Sequence, residues 1–340
     1  MARLRTVVWS VLHLLVDMVC AWAMYAFFCD GNYGSLLVYN FCAFALQLPF
    51  GTLLDLQRDK YHSLPTACAS LGVILTACGA FLHPSILGIG NALFHTGAGV
   101  DVIEGDFLRG RKGQDLGVFV APGAIGLYFG MLLGKNTSHP LALVAGGIVM
   151  LLLAACQWTR VAAYPHREQS EPGNGRKLVI VAVCCFAVVI VRSYIGLAVS
   201  FPWKSVSVLG AAAVFSAAAG KCCGGFLAAR FGLQRVAAIT LLLATVCYLL
   251  GDHFACGLAA VLFFNMSMPL TLYLLADKLP GMPGFAFGLL TFGLFLGFLP
   301  VYWHMDLMLS PNILGAAGSA LSCALLIAAG KVAAYDKLSS

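Results

Sequence analysis

The chain has 340 residues, 61% of them hydrophobic and only 10% charged, with a formal net charge of +6 and a mean hydropathy of +0.91. So little charge over such a length excludes a soluble globular domain and points to an all-α polytopic membrane protein. The thirteen cysteines lie mostly in apolar runs, two pairs of them adjacent (Cys184-Cys185 and Cys222-Cys223), with no regular ligand spacing and no clustered histidines. They read as small packing residues, so no disulfide framework, metal site or cofactor is expected.

The first apolar run begins after Arg3 and Arg5 and ends in Trp22, Tyr25, Phe27 and Phe28, without a small-residue cleavage site. It is therefore expected to be a retained span rather than a removed signal peptide. Within it stands His13-Leu-Leu-Val-Asp17-Met18, whose histidine and aspartate share one helical face, one turn apart. An ionisable pair at that depth is costly and normally faces a polar pathway, which makes His13 and Asp17 the first functional candidates. The plainer reading is a hydrogen-bonded pair that locks helix packing.

Crossing the bilayer takes about 20 helical residues. Cutting the chain at its polar breaks predicts twelve spans, at 7–28, 36–56, 64–82, 86–103, 115–134, 140–160, 177–199, 205–229, 233–251, 254–276, 284–305 and 311–334. The joints carry the expected breakers: Asp30-Gly31-Asn32, His83-Pro84, Asn136-Thr137-Ser138-His139-Pro140 and Pro280-Gly281-Met282-Pro283-Gly284. Placing both termini and the even-numbered joints inside puts sixteen of the twenty lysines and arginines there, with Lys135 alone in an outer joint. The net positive charge is then topological, and no nucleic-acid partner is needed to explain it. The longest polar stretch, between Tyr164 and Lys177, falls almost at mid-chain. The expected organisation is an N-terminal six-helix half (1–160), a cytoplasmic linker (161–176) and a C-terminal six-helix half (177–340).

A motif recurs at matching places in the two halves. After the second span comes Gly51-Thr-Leu-Leu-Asp55-Leu-Gln-Arg58-Asp59-Lys60, and after the eighth Gly225-Phe-Leu-Ala-Ala229-Arg230-Phe-Gly232-Leu-Gln-Arg235. Both resemble the signature loop of the major facilitator superfamily, G-x-x-x-D-R-x-G-R/K. The first copy keeps Gly51, Asp55 and the basic Lys60. The second keeps Gly225, Arg230 and Gly232 but has Ala229 in place of the acid. Within the superfamily the chain is most similar to the fosmidomycin-resistance type of exporter, through the His13 to Met18 segment, Gly88-Ile-Gly90-Asn91-Ala-Leu-Phe94-His95, the fifth-span glycines Gly123, Gly126 and Gly130, and the Ala217 to Gly232 region. It departs from that type where Thr96 and Gly97 follow His95 and where Val100 stands near the place of an arginine. Pro122-Gly123 with Gly126, Gly130 and Gly134 resembles the glycine-rich helix of antiporters, and such a ladder also suits any tightly packed membrane helix.

The resemblance implies the major facilitator fold, two pseudo-symmetric six-helix halves around a central cavity, and a secondary transporter working by alternating access. It points to a monomer in a bacterial cell membrane and to proton-coupled efflux of a small anionic or amphiphilic compound. Nutrient uptake by proton symport or facilitated diffusion is the second reading, and an inactive carrier acting as receptor or scaffold the third. No H-E-x-x-H or G-x-x-x-x-G-K-[ST] motif occurs, so neither an enzyme nor a self-contained ATP-driven pump is expected. Apolar surroundings favour the neutral carboxyl of Asp17 and a nearby positive charge favours the ionised one, the competition a proton switch requires. Asp17 with His13 is thus the expected proton-coupling pair, and Arg192, on the first helix of the second half, the expected counter-charge or ligand for an anionic substrate group. Asn91 and His95 share a face of the fourth span, and Asn265 beside Pro269 marks a polar, interrupted tenth span. These three are candidate cavity residues. Asp101, Glu104 and Asp106 are expected to be gate or solvated-face charges at a cytoplasmic end.

Overall fold

The computed structural model describes all residues except 1, 30–32, 58–59, 137–138, 160–174, 306 and 336–340. Among the described residues there is no strand. Eleven helices among the described residues are long and apolar enough to cross a membrane: Leu4–Phe28, Tyr33–Gln57, Leu64–Leu82, Pro84–Leu108, Gln114–Asn136, Pro140–Trp158, Gly175–Ala198, Ser207–Phe231, Phe254–Lys278, Pro283–Tyr302 and Pro311–Ala333. The shorter apolar helix Leu233–Leu249 stands between Phe231 and Phe254 and makes the twelfth. Numbered first to twelfth in chain order, they fall on the predicted spans. The joint residues 30–32 and 137–138, and nearly all of the expected linker, lie outside the described residues.

The helix starts follow from local chemistry. Pro65, Pro84 and Pro140 sit in first turns, where a missing N–H costs nothing. His83 caps the fourth helix by accepting from Ser85 N through its ring. Three irregularities were not predicted. The first helix ends in a π turn, Met24–Phe28, and the second contains another, Phe41–Ala45, insertions common at functional sites. The tenth helix breaks at Met266, between Phe254–Asn265 and Ser267–Lys278. Pro269 lacks the N–H that would bond the carbonyl four residues back, on Asn265.

The chain divides into two compact units. Unit 1 comprises Met1–Arg109, Val118–His166 and Met282–Phe292, and unit 2 comprises Gly110–Gly117, Arg167–Gly281 and Gly293–Ser340. In unit 1 the third and fourth helices pack backbone to backbone: a side chain at Gly72 would strike the main chain at Gly90 and Phe94. The first helix lies deep in this unit, with Trp9, Leu12, Val16, Cys20 and Ala23 fully buried. In unit 2, Phe201 stacks on Trp203 with centroids 5.3 Å apart, Tyr248 and Phe264 extend the cluster, and the Trp203 indole donates to Gly251 O.

Of the two readings given for the acidic stretch, gate or solvated face, the second is overturned here. Asp101, Glu104 and Asp106 are buried, not solvated. Asp101 accepts two bonds from the Arg5 guanidinium, at 2.6 and 2.8 Å, and a third from the Trp9 indole at 2.8 Å. Arg5 also donates to Thr66 and to Gln157 O, so that four of its five N–H groups are engaged by these bonds. Arg5, counted above among the cations of the cytoplasmic side, is a buried tie between the first, third, fourth and sixth helices. Removing one partner leaves the other charged in a dry site, which costs about 3–5 kcal/mol, whereas apolar replacement of both is often neutral. Asp101→Asn should therefore lower the unfolding temperature of the detergent-solubilised protein by several degrees, and Arg5→Met with Asp101→Leu should regain most of that loss. Equal loss in both variants would show that packing, not charge pairing, sets the stability.

Candidate functional site

Two helices of unit 1, the first and the fourth, bring His13, Asp17 and His95 together. His13 Nε2 is 3.2 Å from Asp17 Oδ2, and His95 Nε2 is 3.5 Å from Asp17 Oδ1. The two imidazoles meet edge to face, with centroids 4.4 Å apart. All three side chains are more than nine-tenths buried, with Phe94 and Phe119 packed against the rings. The helical repeat accounts for the His13–Asp17 pair, whereas the arrival of His95 depends on how the fourth helix packs.

The opposite nitrogen of each ring fixes its hydrogen. His13 Nδ1 lies 2.8 Å from Phe119 O, and His95 Nδ1 lies 2.9 Å from Asn91 O. A carbonyl oxygen only accepts, so both Nδ1 atoms must carry hydrogen and donate. In a neutral ring Nε2 then holds a bare lone pair, and here both Nε2 atoms face a carboxylate. With Asp17 ionised and both rings neutral, lone pairs would face lone pairs with nothing between. The cluster is complete only when it holds at least one proton or another cation. Asn91 Nδ2 donates to Asp17 Oδ1 at 3.2 Å, while its own Oδ1 is buried without a partner.

The fifth-helix glycines determine how close this site comes to its neighbour. Gly126, Gly130 and Gly134 rest against the backbone carbonyls of Leu14, Met18 and Trp22 on the first helix, and Gly123 rests against His13 Nε2 and Asp17 Oδ2 themselves. Pro122 removes one N–H from this turn, beside the Phe119 carbonyl that receives the His13 proton. The stripe thus lets two backbones touch and places the acid–imidazole pair against bare main chain.

In unit 2 Arg192 is buried on the seventh helix. Its Nε has no hydrogen-bond partner, and among the described residues no ion pair reaches its guanidinium. Asn265 is partly buried and turns its amide back to Val261 O at the end of its own helical segment. The structure therefore gathers Asp17, His13, His95 and Asn91 into one site and gives Arg192 and Asn265 places in the other unit.

The two signature loops are built differently. Gly51 faces the backbone of Gly284, and Asp55 accepts from Gly284 N at 2.9 Å and Phe285 N at 2.7 Å, capping the eleventh helix, which has no acid in its own first turn. In unit 2 Gly225 packs against Gly113 and Gln114, at the start of the fifth helix. That helix carries its own acid, Asp115, 3.5 Å from Arg111. Lys60 and Arg230 are exposed, each over a neighbouring aromatic ring, and Gly232 takes the left-handed φ of +90° where the eighth helix ends. Arg58 and Asp59 lie outside the described residues.

Twelve apolar helices with charged groups held deep inside them describe a polytopic membrane protein, and solved structures of major facilitator superfamily transporters share this fold. The chain superposes on a variant of the E. coli fucose:proton symporter with a TM-score of 0.66 at 15% identity, covering 96% of each chain. It is similar to the human organic anion transporter MFSD10, at a TM-score of 0.64 and 16% identity over 96% of this chain and 99% of that one. A nucleoside transporter matches at 0.57 and 13%, over 98% and 100%. No protein-family model and no curated protein matches the sequence.

A side chain at Gly126 would meet the fixed carbonyl of Leu14, whereas one at Gly123 would meet two movable side chains, with Asp17 Oδ2 at 2.6 Å. Overpacking of this kind costs about 1–3 kcal/mol. Gly126→Ala should lower the unfolding temperature clearly, whereas Gly123→Ala should fold with a smaller loss but displace His13 or Asp17. Equal stability losses in the two variants would show that the site gives no more readily than the backbone.

Proposed function

We propose that the chain is a secondary active transporter that exports a small anionic or amphiphilic compound in exchange for protons. The observation that carries this reading is the hydrogen-deficient cluster of His13, Asp17 and His95, a buried group that must hold a proton or other cation and is poised to release it when its surroundings change. Arg192, charged and without a partner among the described residues, supplies the counter-charge or binds the anionic group of the substrate. Alternating access by two six-helix halves, 1–160 and 177–340, would expose these groups to each side in turn. The Asp55 cap on the eleventh helix is the contact that such a motion breaks. Both termini are placed in the cytoplasm by the distribution of lysine and arginine, in a bacterial inner membrane, and the monomer is the working unit.

The fold likeness to a fucose:proton symporter favours a second reading, uptake with protons, which uses the same coupling group in the opposite sense. The two differ in proton flow. In inverted vesicles acidified inside by respiration, adding a substrate of an antiporter should raise the internal pH. A panel of small carboxylates, phosphonates and amphiphiles is the appropriate probe set. We expect a compound-dependent rise in wild type that is abolished in Asp17→Asn and, for anionic compounds, in Arg192→Gln. An equal rise in wild type and Asp17→Asn would remove Asp17 from the coupling role, and facilitated movement of substrate without any proton flow would overturn antiport.

A further inference from the structure

We propose that the His13–Asp17–His95 cluster is also a binding site for a divalent first-row transition-metal cation, of the Zn²⁺ or Co²⁺ class, which competes with protons for the same three atoms. The inference rests on the same site as the transport reading but on a different property of it, namely the directions and spacing of its lone pairs. The candidate ligand atoms all lie within 4.8 Å of one another. Ligands about 2.0–2.1 Å from a tetrahedral zinc ion stand about 3.3 Å apart, and the two nitrogen–oxygen separations here are 3.2 and 3.5 Å. A cation entering between the carboxylate and the two rings therefore needs only small side-chain movement.

The surrounding shell is set for the same chemistry. A metal-binding histidine normally donates its other N–H to a carbonyl or carboxylate, which fixes the tautomer and aims the lone pair. Both histidines do this, through Phe119 O and Asn91 O. Asn91 in addition donates to one Asp17 oxygen and so orients the carboxylate. Two imidazoles and one carboxylate suit zinc, cobalt or iron far better than magnesium or calcium, which prefer all-oxygen shells. Three protein ligands leave a fourth position open for water or an anion, as an exchangeable site requires. The sites are filled alternatively: the cation displaces whatever protons the cluster holds, so that its arrival and their departure are one event.

The other titratable groups near the cluster are the Cys20 thiol, on the first helix, which Asn91 Nδ2 approaches at 3.6 Å, and the Tyr39 hydroxyl, on the second. Neither is needed as a ligand. Gly123, on the fifth helix, brings only main chain to the pair. The sequence could not show this site, because two ligands lie one helical turn apart and the third stands 78 residues further on, by the numbering of Asp17 and His95.

The test is a titration of the full-length detergent-solubilised protein with Co²⁺, read by its visible ligand-field absorption, with Zn²⁺ as competitor. We expect one Co²⁺ per chain at about pH 7.5, released on acidification toward about pH 5.5 as protons reclaim the site. Asp17→Asn and His95→Gln should each weaken binding at least about tenfold, with helicity by circular dichroism unchanged. His95→Cys should keep the ion and add a thiolate-to-cobalt charge-transfer band, a signal that a purely structural histidine would not produce. His62→Gln and His253→Gln alter exposed histidines and should leave binding unchanged. Absence of stoichiometric binding, or binding that survives in Asp17→Asn and His95→Gln but falls with the exposed histidines, would overturn the proposal. Proton flux without Co²⁺ binding would overturn it while sparing the transport reading, and Co²⁺ binding in a chain that moves no compound would do the reverse.

Discussion

The structure depends on one constraint: a charged or hydrogen-bonding group placed where water is scarce must find a partner in the protein or carry its own proton. Asp17 meets this constraint through two imidazoles whose other nitrogens are already committed to carbonyls. Much of unit 1 serves this arrangement. Phe94 and Phe119 exclude water from the rings, Asn91 holds one carboxylate oxygen, and Gly123 leaves the pair facing backbone. The π turns in the first two helices lie on the same elements, and the fourth helix meets one of them where Gly88 packs against Cys42 and the Tyr39 carbonyl.

The buried charges divide into two kinds by how completely they are satisfied. Arg5 and Asp101 are saturated: the guanidinium is shared among a carboxylate, a hydroxyl and a carbonyl, and the carboxylate takes an indole proton besides. Such a network has one low-energy arrangement and acts as a lock. The Asp17 cluster and Arg192 are under-satisfied, one short of hydrogen and the other short of an acceptor at Nε. A group left in that condition stabilises the protein less than it could, and the deficit is made up when a proton, a cation or an anionic ligand arrives. That difference is the physical reason for assigning exchange to the second kind and packing to the first.

Much of this was legible in the sequence, because bilayer thickness fixes span length and helical periodicity fixes which neighbours share a face. Those two rules gave the helices and the His13–Asp17 pair. They are silent on which faces of different helices meet, so the contact of His95 with Asp17 and the burial of Arg5 against Asp101 came only from the fold. Arg5 shows why, since a cation at the start of an apolar run reads equally well as a topological signal and as an ion-pair partner. The fifth-helix glycines pointed to close packing, but a stripe of small residues does not name its partner. Here the partner is the helix that carries His13 and Asp17, with Leu14, Met18 and Trp22 one turn apart under successive glycines. The break at Met266 fell beside the expected interruption at Pro269, because a proline perturbs the turn before it.

The departure of the second signature loop from the family pattern also has a physical account. A helix start needs an acceptor for its free N–H groups and benefits from negative charge there. The eleventh helix has no acid of its own and receives one from Asp55, more than two hundred positions earlier in the chain. The fifth helix supplies Asp115 from within, so an acid at position 229 would duplicate a charge already present, while Gly225 keeps its close approach to the main chain of Gly113 and Gln114. Parting the first junction breaks two charge-assisted hydrogen bonds, each worth about 1.5–3 kcal/mol.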